Sequence, residues 1–120
     1  MDLYADNILE HFRNPRNRHI GLVPGPGTHT ETNASCGDEI TVALTIKDNA
    51  IAAVAWNGSG CAISTAAMSM LSEKLKGMTP ADARNSPDAF VQSLLGIPIS
   101  RRRERCALLG LSAVRGALRK

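Results

Sequence analysis

Ile40-Thr41-Val42-Ala43-Leu44-Thr45-Ile46-Lys47-Asp48-Asn49-Ala50-Ile51-Ala52-Ala53-Val54-Ala55-Trp56 is the stretch that decides the fold. Ile40, Val42, Leu44 and Ile46 alternate with Thr41, Ala43 and Thr45, the period of two that turns one face of a strand toward a core. Lys47-Asp48-Asn49-Ala50 reads as a short hairpin turn, and Ile51 to Trp56 as the returning strand. Just upstream, residues 28–35 are polar and Thr-rich, as an edge strand would be. Further back, residues 2–13 place Tyr4, Ile8, His11 and Phe12 on one face of an amphipathic helix, which Asn14-Pro15 stops. A Gly- and Pro-rich loop from Arg16 to Gly27 joins the two.

Downstream of the hairpin the pattern turns helical. Ala62 to Lys76 carries Ile63, Ala66, Ala67, Met70, Leu71 and Leu75 on one face, and Gly77 ends it. Thr79-Pro80-Ala81-Asp82 has the form of a capped helix start with proline at the first helical position. Ser86-Pro87-Asp88 repeats that form before Phe90 to Leu95. A last helix starts near Ser100 and carries Leu108, Leu111, Val114 and Leu118. Strands first and helices after imply an α+β fold, a small antiparallel three-stranded sheet with helices packed on one face. A length of 120 residues, without repeat or linker, reads as a single domain over 1–120.

Composition removes several classes of function. A hydrophobic fraction of 43% suits a globular chain rather than a disordered one. Aromatic residues make up 3%, too few for the stacking platforms that bind single-stranded nucleic acid. No stretch approaches the roughly 18 apolar residues of a membrane span, and residues 1–13 lack the apolar run of a signal peptide. Three cysteines, an odd number, do not make a disulfide framework. These features point to the reducing cytoplasm.

The cysteines stand in Ser35-Cys36-Gly37-Asp38, in Gly58-Ser59-Gly60-Cys61-Ala62-Ile63-Ser64 and in Arg103-Glu104-Arg105-Cys106. Cys36 ends the Thr-rich strand, Cys61 joins the hairpin to a helix, and Cys106 falls in or near the first turns of the last helix. A thiolate at a helix start is favoured by unpaired backbone N–H groups, and Arg103 and Arg105 are expected to acidify Cys106. Brought together with Asp38, three thiolates and a carboxylate supply the four ligands of a tetrahedral zinc or an iron–sulfur cluster. Separations of 25 and 45 residues, without a CxxC pair, leave ordinary core packing of the cysteines equally open.

From about Leu3 to Leu118 the chain resembles the iron–sulfur cluster assembly scaffolds of the IscU, SufU and NifU N-terminal type. The resemblance is carried by Ile8-Leu9-Glu10-His11-Phe12-Arg13-Asn14-Pro15-Arg16-Asn17, by Cys36-Gly37-Asp38, by Gly60-Cys61-Ala62-Ile63-Ser64 and by Cys106. It implies that Cys36, Asp38, Cys61 and Cys106 hold a transient [2Fe–2S] cluster or Zn²⁺. It also implies that Cys106 accepts sulfur from a cysteine desulfurase, and that apo iron–sulfur proteins receive the product. The resemblance equally admits a zinc-dependent sulfur relay that holds no cluster. Arg105 stands where IscU proteins have histidine and SufU proteins usually lysine. The SufU insertion before the last motif is absent, and Ile97-Pro98-Ile99-Ser100 replaces the Leu-Pro-Pro-Val-Lys chaperone-recognition motif of IscU.

Seven of the fourteen Lys and Arg lie between Arg101 and Lys120. Arg101-Arg102-Arg103 suits an acidic protein partner such as the desulfurase, or plain solvation of a helix start; nucleic acid is the least favoured of its uses. His11 is expected as a hydrogen-bonded core histidine and Trp56 as a core residue near Cys61. The remaining histidines, His19 and His29, carry no signal, and Met68 and Met70 read as helix packing.

Overall fold

The structure is a computed structural model that describes residues 3–34 and 37–119, with side chains from residue 5 onward. Helix α1 spans Leu3–Arg13. It is followed by strands β1 (His29–Asn33), β2 (Asp38–Lys47) and β3 (Ala50–Ser59). Helices α2 (Ala62–Leu75), α3 (Pro80–Arg84), α4 (Asp88–Leu95) and α5 (Arg101–Leu118) complete the chain. The sheet is an antiparallel meander in the order β1-β2-β3, with β1 at the edge.

The hairpin forms as its sequence directs. Lys47 pairs with Ala50, and the two loop residues Asp48 and Asn49 take φ of 54° and 60°. That is the left-handed pair a two-residue hairpin needs, and Asp and Asn tolerate it best among residues with a side chain. Ile40 and Val42 are buried, and Val54 and Trp56 face the same core from β3. Burial fades along β2: Leu44 is half-buried, and Ile46, at the end of the strand on the same face, is 45% exposed. A register shift between Thr45 and Ile46 leaves one extra residue, Ala52, on β3, so that Ile51 and Val54, three apart, are both buried.

Helices α2 and α5 pack on one face of the sheet. Residues 16–23 run along its remaining edge and over the opposite face. His19 N–H donates to the Trp56 carbonyl (2.7 Å), and Asn57 Nδ2 donates to the carbonyls of Ile20 and Leu22. An open strand edge is covered in this way.

The central helix is α2, which is buried nearly all round rather than along one stripe. The chain after α1 closes over its serine face. Ser69 Oγ accepts the Arg16 N–H (2.8 Å) and bonds His11 Nδ1 (2.7 Å), while Asn17 Nδ2 donates to Ser72 Oγ (2.9 Å). His11 is thus the bonded core histidine expected, and burial chiefly, then Arg16, holds its pKa below the ordinary value against the pull of Glu73 and Glu10. Phe12 lies half-exposed outside that face, and the side chain of Tyr4 is outside the described residues.

The helix starts follow their signatures with one exception. Thr79 caps α3 by accepting from Asp82 N–H (3.1 Å). Ser86 does not cap α4: Pro87 takes that position, and Ser86 Oγ turns back to the Asp82 carbonyl (3.0 Å). Trp56 is buried and its Nε1 donates to the Arg16 carbonyl (2.7 Å). Among the described residues no helix is long and apolar enough to cross a membrane.

Candidate metal centre

Two tight connections bring the site together. Asn33, the last residue of β1, pairs directly with Asp38, the first of β2. Gly37 supplies the left-handed φ of 75° that the reversal requires, and its N–H donates to the Asn33 carbonyl (2.8 Å). On the other side, β3 ends at Ser59, and Gly60 leads into Cys61, which takes the N-cap position of α2 with φ −71° and ψ 171°. The Cys61 carbonyl accepts from Thr65 N–H and from Ser64 Oγ. Its side chain makes no capping bond with the helix.

Cys106 comes from the second turn of α5, which is past the unpaired N–H groups of the helix start. Its side chain is 5% exposed, and Asn33 Nδ2 lies 3.8 Å from its Sγ. One carboxylate oxygen of Asp38 and the sulfurs of Cys61 and Cys106 all lie within 4.8 Å of one another. Three of the four residues expected as ligands are therefore neighbours, although 45 residues separate Cys61 from Cys106. The fourth, Cys36, lies outside the described residues.

Asp38 is the informative member. It is 4% exposed, and among the described residues its Oδ2 has no hydrogen-bond partner. Leaving a buried acceptor unmatched costs about 1–3 kcal/mol, more for a charged group. Space is also kept for it: a Cβ on Gly60 would sit 2.9 Å from Asp38 Cγ and 3.1 Å from Oδ1, and would strike Ser64 Oγ. Two thiols and a carboxylate are the donor types that zinc and iron accept. Zn–S bonds of about 2.3 Å and Zn–O bonds of about 2.0–2.2 Å put ligand atoms about 3.5–4 Å apart around one ion. Small rotations of these side chains reach that spacing, so the residues present fit a metal.

The site opens to solvent through a cleft of about 450 Å³ lined by Cys61, Ser100, Arg102, Arg103 and Cys106. Arg103 shares the cleft with Cys106 because residues three apart on a helix face the same way. Arg105 does not share it. It lines a separate groove against β1, with Glu31, Thr32 and Leu109. Asn33 also lines that groove, so the two arginines lie in clefts on either side of the Asn33–Cys106 contact. Arg102 and Arg103, two of the three consecutive arginines read as a docking run, line the cleft beside Cys61 and Cys106; Asn33 had no signal in the sequence, where it is only the polar end of a strand.

A family model described as the NifU-like N terminal domain matches residues 3–120. The chain belongs to this family. An iron-sulfur cluster assembly scaffold protein, IscU 1, of Archaeoglobus fulgidus is 35% identical over 118 residues, covering 97% of this chain and 74% of the relative. The zinc-dependent sulfurtransferase SufU of Bacillus subtilis is 29% identical over 94 residues, covering 78% of this chain and 63% of the relative. Among solved structures, a NifU-like N-terminal protein from Brucella abortus superposes with a TM-score of 0.76 at 24% identity, covering 98% of this chain and 92% of that one. A scaffold protein of the SUF type from Fervidobacterium islandicum gives 0.71 at 21% identity, covering 94% of each chain. These likenesses bear out the α+β fold with its three-stranded antiparallel sheet and the resemblance to NifU-type domains.

Proposed function

We propose that this NifU-type domain, acting as one unit over 1–120, is an iron–sulfur cluster assembly scaffold. It takes sulfur from a cysteine desulfurase together with iron, builds a labile [2Fe–2S] cluster on Cys36, Asp38, Cys61 and Cys106 with an external reductant supplying the two electrons that turn each persulfide sulfur into sulfide, and passes it to apo-proteins. The convergence of ligand atoms of Asp38, Cys61 and Cys106 within 4.8 Å, with a buried carboxylate whose Oδ2 is unmatched among the described residues, carries this reading. The scaffold names of relatives at 35% identity support it. The cluster is cargo, and the site suits cargo. Carboxylate is a harder ligand than thiolate and binds iron less firmly, so one ligand in four is easily exchanged when the cluster leaves.

Sulfur entry is ordinary thiol exchange. The Cys106 thiolate attacks the outer sulfur of the desulfurase persulfide, a new S–S bond forms on Cys106, and the old S–S bond breaks to release the desulfurase thiolate. Arg102 and Arg103 at the cleft mouth attract the anionic persulfide and an acidic partner surface. The thiols of Cys61 and Cys106 fit a reducing cytoplasm.

A second reading has an observation of its own. Two sulfurs and one oxygen make a zinc donor set, and the B. subtilis relative is named a zinc-dependent sulfurtransferase. In that case the same Cys106 chemistry runs without cluster build-up. Both readings need Cys106. With a desulfurase charged with radiolabelled cysteine, Cys106→Ser is expected to lose persulfide labelling that the parent chain acquires; unchanged labelling would remove Cys106 from the sulfur path.

A further inference from the structure

Asn33 is a polar residue buried to 8% exposure whose side chain faces the metal centre without belonging to the expected ligand set. Its position follows from register. Residues directly opposite in an antiparallel pair project from the same face of the sheet, and Asn33 stands opposite Asp38. Asp38 reaches Cys61 and Cys106, while Asn33 directs Nδ2 at the Cys106 sulfur from 3.8 Å. The backbone carbonyl of Asn33 holds Gly37 N–H at 2.8 Å, so the same residue closes the turn that delivers Asp38. An amide N–H is a donor and a thiolate is an acceptor, and the contact therefore gains strength when Cys106 is deprotonated or bound to metal.

We infer that Asn33 is a positioning residue for the centre: its side-chain amide donates an outer-sphere hydrogen bond to the Cys106 sulfur. This rests on the reading that Cys106 is a ligand and sulfur acceptor. The bond does two things. It helps to hold Sγ next to Asp38 and Cys61. It also withdraws electron density from the sulfur, which weakens its donation to a bound metal and tunes the centre, as hydrogen bonds to ligating sulfur do elsewhere. Of the three cysteines, Cys106 is the one that must both ligate and exchange sulfur, and a donor-stabilised sulfur is the easier one to release.

The test uses cobalt(II) added to the metal-free full chain and reads the thiolate-to-cobalt charge-transfer band. Removing the donor in Asn33→Leu or Asn33→Ala raises the energy of the sulfur lone pair, so the band is expected to move to longer wavelength. In a Cys106→Ser background the same substitutions are expected to produce no such shift. An unmoved band, or an equal shift without Cys106, overturns the inference. A band that Cys106→Ser leaves unaltered in the parent chain overturns the ligand reading itself, a separate result. Should the variants not fold, the parent chain loaded with cadmium-113 decides. Scalar coupling between the metal and the Asn33 amide protons is expected, and its absence overturns the inference.

Discussion

Asp38→Ala separates the needs of the fold from those of the site. The carboxylate is 4% exposed and its Oδ2 is unmatched among the described residues. In the metal-free chain this arrangement costs about 1–3 kcal/mol. Alanine removes the cost and little packing, because few atoms are deleted. For a chain of 120 residues, 1 kcal/mol moves the melting temperature by roughly 3–5 °C. In excess chelator, Asp38→Ala should therefore melt on the order of 5–10 °C above the parent chain. With zinc the order narrows or reverses, since the parent gains RT ln(1 + [L]/Kd) and the variant, short of one ligand, gains less. Thermal melting followed by circular dichroism, with chelator and with zinc, reads both effects. A variant that melts several degrees below the parent in chelator would refute the reasoning, because the carboxylate would then be serving the fold.

Gly58→Ala should destabilise the chain by about 1–3 kcal/mol, because the added Cβ meets the Glu39 carbonyl and lies 3.1 Å from Ile40 Cα, where only backbone could yield; a urea midpoint within error of the parent would contradict this. His11, with its pKa held below 6.5 by burial, binds fewer protons folded than unfolded. Its contribution to stability is complete above about pH 6.5 and declines as pH falls toward the lowered folded value. Melting temperatures between pH 7 and 5 should fall more steeply for the parent than for His11→Gln; parallel curves would show that His11 does not couple to folding.

Local signals made much of the fold legible. The alternation of Ile40 to Ile46, the Asp48-Asn49 turn and the Thr79-Pro80 cap each act over a few residues, and each appears where its pattern puts it. What the local patterns did not carry comes from distant partners. The Ser69 and Ser72 face of α2 has no apolar periodicity to mark it, and it is buried because Arg16 and Asn17, more than fifty residues away, supply the hydrogen bonds. Ile46 keeps the alternation of β2 and is exposed because the core ends before it, while the bulge at Ala52 on β3 is announced by neither strand alone.

At the site, Cys61 at a helix start beside two glycines was readable, and so was Asp38 as a companion of Cys61 and Cys106. Asn33 was not, because its role arises from pairing with Asp38 and packing under α5. The divergent facing of Arg103 and Arg105 was available in principle, since helix geometry alone separates side chains two residues apart.

The most direct measurement is anaerobic reconstitution with iron, cysteine, a cysteine desulfurase and a dithiol reductant, followed by visible absorption and by iron, zinc and sulfide analysis. The scaffold account predicts a labile iron–sulfide chromophore that is lost in Cys36→Ser, Cys61→Ser and Cys106→Ser. Zinc retained at about one per chain, with desulfurase turnover stimulated and no chromophore, would contradict it and establish the sulfur relay instead.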